Sequence, residues 1–261
     1  MPSPRIHCDL RLGPGAQFAL APEAAQHVAK SLRLKTGDAL TVFDGRGGEY
    51  EAVIQRIERD RVDVKLGSFR DVDRESSLDV GLVQGLPEAD KMDWIIQKAA
   101  ELGVAWIQPI VCDRSVVRLK AERAARREAH WRRVAVAACE QCGRNRIPDV
   151  RPTLGYVDWI ARAPAGAALN GSGSRRWLLM PDGTPLAAMA PPQGSLEMLV
   201  GPEGGLSDRE KDLALPRGFE AVAFGRRVLR TETASIVAMA ALHALWGDFS
   251  GKTGDGQDAN P

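Results

Sequence analysis

The chain has 261 residues, 44% of them hydrophobic and 26% charged, with a net charge of +1 at pH 7. That length buries roughly 70–75% of the unfolded surface, enough for one large domain or two modest ones. A near-zero charge excludes a global field for polyanions, and no apolar run nears the roughly 18 residues that a membrane helix needs.

Residues 1–70 read as β-rich. Asp38–Phe43 runs into the turn Asp44-Gly45-Arg46-Gly47-Gly48, and Glu49–Ile54 then alternates polar and apolar as a hairpin partner should. Arg61–Leu66 alternates throughout, and one short helix over about Pro22–Leu32 interrupts the strands. A small barrel is expected. The polar run Arg70–Ser77 reads as a linker.

Beyond it strands alternate with helices, which predicts an α/β unit with a parallel sheet covered on both faces. Leu78–Val83 is the first strand. Asp90 is placed to cap a helix whose Met92, Ile95, Ile96, Ala99 and Leu102 share one face, with Gly103 as its left-handed stop. Val104–Val111 is the next strand. A longer helix from about Glu122 to Gly143 carries Trp131, Val134, Ala135, Ala138, Cys139 and Cys142 as its apolar stripe. Strands at Trp177–Met180, Leu196–Val200 and Ala221–Phe224 follow. The last helix, Ala234–Trp246, is apolar nearly all round and must be buried on more than one side, most easily against a second subunit. The glycine-rich tail reads as disordered.

Two stretches carry the chemistry. After Leu196–Val200 comes Gly201-Pro202-Glu203-Gly204-Gly205, then Ser207 with Glu210 three residues on, the reciprocal capping pattern of a helix start. After Ala221–Phe224 comes Gly225-Arg226-Arg227-Val228-Leu229-Arg230, with Thr231 or Thr233 placed to cap the last helix. Two such loops at the carboxyl ends of neighbouring strands form the crevice in which open α/β sheets bind small molecules. Glu203 between glycines repels phosphate and favours a cationic or donor-rich ligand. Arg230 either pairs with Glu232 or Glu203, stapling the loops, or grips a phosphate backbone together with Arg226 and Arg227.

A local basic segment offsets the neutral whole. Between Cys112 and Arg151 eleven bases face five acids, which suits either a solvated helix face or a polyanion footprint. Weaker signals are set aside. Gly247–Thr253 is one residue short of a phosphate loop, and Gly171-Ser172-Gly173 lacks the third glycine of a dinucleotide fingerprint. Cys139-Glu140-Gln141-Cys142 has no second pair to complete a zinc site, so packing is the expectation and no metal. Four cysteines make no disulfide framework, and no signal-peptide core opens the chain; a reducing cytoplasm and no membrane are expected.

Taken in order, Lys91–Gly103, Trp131–Arg144, Val200–Gly205 and Arg227–Ala234 resemble the RsmE family, 16S ribosomal RNA (uracil-1498-N3) methyltransferases of the SPOUT superfamily. Ser31–Asp38 and Phe43–Tyr50 are similar to that family's PUA-like barrel, and the resemblance covers residues 5–248. Arg226 stands where the family's turn carries proline. The resemblance implies a PUA-like RNA-binding barrel over residues 1–72, a SPOUT-type domain with a carboxyl-terminal trefoil knot over 73–248, and a disordered tail over 249–261. It implies a homodimer acting on 16S rRNA in the small ribosomal subunit, with S-adenosyl-L-methionine as methyl donor. The implied cofactor residues are Leu179, Met180, Gly201, Pro202, Glu203, Gly204, Gly205, Phe224, Gly225, Val228, Leu229, Arg230 and Thr231. Arg230 is the expected stabiliser of charge on the uracil, and Glu232 or Glu203 the expected proton acceptor. Arg5, Arg33, Lys35, Lys91, Arg126, Arg133, Arg144 and Arg146 are the expected RNA contacts. Two other readings remain: a SPOUT enzyme acting on transfer RNA or a ribose 2′-hydroxyl, and a non-catalytic RNA-binding module.

Overall fold

A computed structural model describes residues 3–59, 61–88, 90–116, 121–163 and 173–250. The chain divides into two compact units, Met1–Glu75 with Val136–Ile147, and Ser76–Ala135 with Pro148–Pro261.

The first unit is built on β1 (Arg5–His7), β2 (Gln17–Ala19), β3 (Ala39–Phe43), β4 (Glu49–Glu58) and β5 (Arg61–Arg70), in the order β1-β3-β4-β5-β2. β1 lies parallel to β3 and the other pairs are antiparallel. Alternation in β5 turns Val62, Val64 and Leu66 inward, onto Leu40, Val42, Ala52 and Ile54. Each such side chain contributes roughly 1.5–3 kcal/mol on full burial. The helix expected over 22–32 is instead α1 (Pro22–Gln26) followed by a wider π-turn, His27–Ser31, and both Ala25 and Val28 reach the core.

The stretch expected as a linker is tied down. Glu49, only 3% exposed, accepts hydrogen bonds from Arg5 Nη1 (2.5 Å), Arg74 Nη1 (3.1 Å) and Asn145 Nδ2 (3.3 Å). Burial alone would raise its pKa, but these three donors outweigh it and hold the carboxyl at about 2. Glu75 in turn accepts from Arg144 Nε at 3.0 Å.

The second unit holds β6 (Val80–Gly85), β7 (Trp106–Val111), β8 (Asp149–Val150), β9 (Leu154–Gly155), β10 (Arg175–Pro185), β11 (Leu196–Val200) and β12 (Phe219–Ala223). Their order is β12-β10-β11-β6-β7-β8, with β9 also on β7, and every pairing is parallel. The remaining helices are α2 (Lys91–Glu101), α3 (Ala121–Cys142), α4 (Tyr156–Arg162), α5 (Asp208–Ala214) and α6 (Thr231–Trp246). Val83, Leu178 and Leu199 from the sheet pack with Trp159 and Phe219 in one core. A Cβ on Gly81 would stand 2.0 Å from the Trp106 ring, so only glycine lets that indole lie across β6.

Three local expectations are corrected. Asp90 sits at the N-cap of α2, but its side chain makes no capping bond; its carbonyl takes the Asp93 N–H instead. α6 starts at Thr231, earlier than expected, with Arg230 at the N-cap and no side-chain cap from either threonine. β10 runs past Met180 to Pro185, because its register on β12 jumps between Leu179 and Thr184 and the intervening residues bulge out.

Cys139 is buried and Cys142 half-buried, both as free thiols. Hydrogen bonding to Cys142, then burial, pushes the Cys139 thiol far above its ordinary pKa, which leaves it a packing residue. Residues 171–172 and 251–253 of the two glycine motifs, and the tail from 251, lie outside the described residues. Among the described residues no helix is long and apolar enough to cross a membrane, and no group of three or more His, Cys, Asp or Glu could hold a metal ion.

Candidate active site

The carboxyl ends of β10, β11 and β12 enclose a cavity of about 360 Å³. Its first wall is the loop after β11. A Cβ on Gly201 would stand 3.0 Å from the Leu206 nitrogen, so the loop folds back tightly on itself. Gly205 takes φ +67°, a left-handed value that favours glycine, and donates its N–H to Pro202 O at 2.8 Å. The expected reciprocal cap then opens α5, with Glu210 N–H on Ser207 Oγ (3.3 Å) and Ser207 N–H on Glu210 Oε2 (2.8 Å).

The segment after β7 braces this loop. Arg114 Nη1 donates to Gly204 O (3.0 Å), Asp113 N–H to Glu210 Oε1 (2.9 Å), and Ser207 Oγ to Asp113 Oδ2 (2.7 Å). On the other side Thr231 Oγ1 donates to Gly201 O (2.6 Å) and accepts from Gln84 Nε2 (2.9 Å), while Gln84 Oε1 accepts from Ser235 Oγ (2.6 Å). Fully buried Gln84 thereby joins β6, the end of β11 and the start of α6. Thr231 is spent on this chain of bonds, which is why it does not cap its helix.

Glu203 faces Lys91. Its Oε1 accepts from Lys91 Nζ at 2.6 Å and from the Glu88 N–H at 3.0 Å. Burial works against the charge, but these donors prevail and hold the carboxyl below its ordinary pKa. The same hydrogen bond raises the Lys91 pKa. Glu232 differs: it is not among the residues lining the cavity, and among the described residues its buried Oε2 has no hydrogen-bond partner.

The loop after β12 is open. Gly225 takes φ +89°, and Arg226, Arg227, Val228 and Arg230 are exposed. Among the described residues no ion pair holds these arginines, so the expected staple from Arg230 to Glu232 or Glu203 is not formed.

Every residue expected to hold the cofactor lines the cavity except Arg230, which stands outside it at the head of α6. Arg114, Asp182, Lys211 and Ala234 line it as well. Sequence reasoning missed Arg114, in a turn just past β7 with no glycine beside it, and Asp182, in the bulged stretch of β10 beyond the expected strand. Leu179, Met180, Val200 and Leu229 make apolar walls, while Asp182, Glu203, Arg114 and Lys211 supply both signs of charge beside exposed peptide groups. Such a lining suits a zwitterionic ligand with an apolar portion and a positive centre.

The RNA methyltransferase domain profile matches residues 74–243, and the RNA methyltransferase PUA domain profile matches residues 20–67. The chain is 36% identical to ribosomal RNA small subunit methyltransferase E from Neisseria gonorrhoeae, solved bound to S-adenosylmethionine; the match covers 95% of this chain and 99% of that one, with a TM-score of 0.88. The chain belongs to the ribosomal RNA small subunit methyltransferase E family. Two relatives of the same name match over a similar span. That of Bacillus subtilis is 29% identical over 86% of this chain and 89% of its own length, and that of Buchnera aphidicola from Acyrthosiphon pisum is 29% identical over 94% and 95%.

For a member of the ribosomal RNA small subunit methyltransferase E family the basic residues matter next. Arg33, Lys35, Arg126, Arg133 and Arg146 are exposed. Arg5 and Arg144 are turned inward: Arg5 Nη1 lies on Glu49 and its Nη2 on Asn145 Oδ1 (2.5 Å), and Arg144 is 5% exposed against Glu75. Lys91 is engaged by Glu203.

Proposed function

We propose that this protein methylates N3 of one uridine, position 1498, in 16S rRNA of the small ribosomal subunit, using S-adenosyl-L-methionine. The observation that carries the reading is the cavity at the ends of β10, β11 and β12, whose walls offer a glycine-rich backbone and charges of both signs. A wholly phosphate ligand would meet Glu203, held ionised by Lys91. The cofactor-bound relative from Neisseria gonorrhoeae supports the same ligand.

Bound S-adenosylmethionine supplies an electrophilic methyl group. The chain's own work is to align the uridine, which accounts for on the order of 7 kcal/mol at best, and to manage the N3 proton. Arg230, exposed between cavity-lining Leu229 and Thr231 and in no ion pair among the described residues, stabilises negative charge on the uracil oxygens as the proton leaves. Glu232 is the proton acceptor. Its Oε2 has no partner, whereas Glu203 already holds two hydrogen bonds and is a weaker base for them. Glu203 is assigned to the cofactor wall.

Residues 1–72 form the RNA-binding barrel and 73–248 the catalytic domain, and Arg33, Lys35, Arg126, Arg133 and Arg146 take the phosphates. Arg5 and Arg144 drop out because Glu49 and Glu75 already neutralise them. A trefoil knot belongs to this reading. Edge strand β12 leads into residues 225–230, yet Thr231 is bonded to Gly201 and Gln84 at the ends of β11 and β6, inward of β10. The enzyme acts as a homodimer, with exposed Val237 and Leu245 of apolar α6 as the face to be covered, and works in the cytoplasm.

The test is a methylation assay on small subunits from cells lacking this protein, with the modified nucleotide mapped. Restored 3-methyluridine at position 1498 is the expected product. A 2′-O-methyl nucleoside, a transfer RNA product, or no product would each reject the assignment.

A further inference from the structure

The barrel carries an aromatic residue that its own core does not use. Phe69, next to last in β5, is 45% exposed. It stands opposite Tyr50 of β4, with ring centroids 5.0 Å apart and tilted by 54°. Beneath it lies Gly48, at φ +66°, where a Cβ would come within 2.2 Å of the Phe69 ring. Bare backbone therefore lies against the ring, and the rest of the residue is left half-exposed.

The residue before it in the turn completes the pattern. Gly47, at φ +118°, is so close to Arg146 that a Cβ would lie 3.4 Å from Nη2. The turn and the Arg146 segment are joined by the Arg46–Arg146 bridge and by Gly47 N–H on Asn145 O at 3.1 Å. Arg46 and Arg146 are both exposed. Arg70 follows Phe69 directly, with its Nη1 3.9 Å from Glu51. Two consecutive glycines thus set a half-exposed ring and a guanidinium on one turn, with two more arginines beside them. Asp44, Glu51 and Glu75 are nearby acids; Asp44 accepts from the Arg46 N–H at 3.1 Å, and Glu75 Oε1 from the Arg146 N–H at 3.3 Å.

An apolar peptide would use the ring and leave the cations unmatched, and a lone anion would ignore the ring. An unpaired nucleotide uses both, by stacking its base and placing its phosphates on arginine. We propose that Phe69 is a stacking platform for one unpaired base of the RNA substrate, with Arg146 and Arg46 on the flanking phosphates. This rests on the RNA reading above and adds to it a base-contacting residue and a single-stranded recognition element.

The test is binding of the full chain to small subunits from cells lacking this protein, across a salt series, alongside titration with S-adenosylmethionine. Phe69→Ala should weaken subunit binding roughly tenfold, Phe69→Leu by a similar factor, and Phe69→Tyr less than about twofold. Arg146→Met should weaken it and lower the salt slope by about one. Affinity for S-adenosylmethionine should not move in any variant, and the melting temperature should fall by no more than a few degrees, as expected for loss of the Tyr50 ring contact, which separates a lost contact from a lost fold. Binding of Phe69→Ala at the wild-type level would overturn the platform, and so would full retention by Phe69→Leu, which keeps apolar bulk without a π-face. An unchanged salt slope in Arg146→Met would remove the phosphate role. Wild-type protein that binds S-adenosylmethionine but no subunit would instead defeat the RNA reading itself.

Discussion

The loops Gly201–Leu206 and Gly225–Arg230 follow β11 and β12, which flank β10 rather than pair with each other as the sequence suggested, and they line one cavity, yet they are held very differently. The first is laced on three sides, by Arg114 on Gly204, Thr231 on Gly201 and Lys91 on Glu203. The second has exposed arginines without ion pairs and a Val228 that is 82% exposed. A loop whose backbone must match a small ligand gains from being fixed beforehand, since no ordering cost falls on binding. A loop that waits for a large substrate keeps its charges unpaired until that substrate arrives. The contrast fits the proposed reading, in which the first loop is fixed beforehand for the cofactor and Arg230 of the second is left for the uridine.

The largest effect that would break the contrast is on Arg230. Arg230→Ala should cut single-turnover methyl transfer by about 100-fold or more, while calorimetry finds S-adenosylmethionine affinity within a few-fold of wild type. Lost cofactor binding would move Arg230 into the first loop's task. Next comes Thr231→Val, which leaves Gly201 O and Gln84 Nε2 without their buried partner. It should cost about 1–3 kcal/mol, read as a fall in melting temperature, and weaken cofactor binding in parallel.

Smaller is the pH effect of the Lys91–Glu203 pair. Because the folded Glu203 pKa lies below its ordinary 4.5, the native chain binds fewer protons than the unfolded one between the two values. The contribution to stability is therefore complete above about pH 4.5 and is lost as pH falls through the folded value. Lys91→Met should flatten that acid slope in pH-dependent unfolding and lower stability at pH 7 by the same small, solvent-screened amount. Smallest of all, Val228→Ser should leave stability within about 0.5 kcal/mol, checked by denaturant unfolding.

Much of this was legible in the residues. Alternation in Arg61–Leu66 marked a half-buried strand, and the Ser207–Glu210 spacing gave a cap that formed in full. The glycines at 201, 204 and 205 placed the cavity. What stayed hidden depends on contacts far apart in the chain. Nothing near Thr231 says that its hydroxyl is claimed by Gly201, thirty residues away, rather than by its own helix. Asp90 looked like a cap because its type fits, but local preference was not decisive there. Arg5 and Arg144 looked like phosphate contacts until Glu49 and Glu75, remote in sequence, proved to face them. The brace from Arg114 carries no motif at all.

The most direct measurement is a calorimetric titration of S-adenosylmethionine into the purified chain and into Gly201→Val, whose added Cβ would press on the backbone of Gly205 and Leu206. The expected result is one saturable site per wild-type chain, competed by S-adenosylhomocysteine and weakened at least about tenfold by the substitution. A wild-type chain that takes up no cofactor, or a Gly201→Val variant that binds it equally well, would contradict the assignment of this cavity.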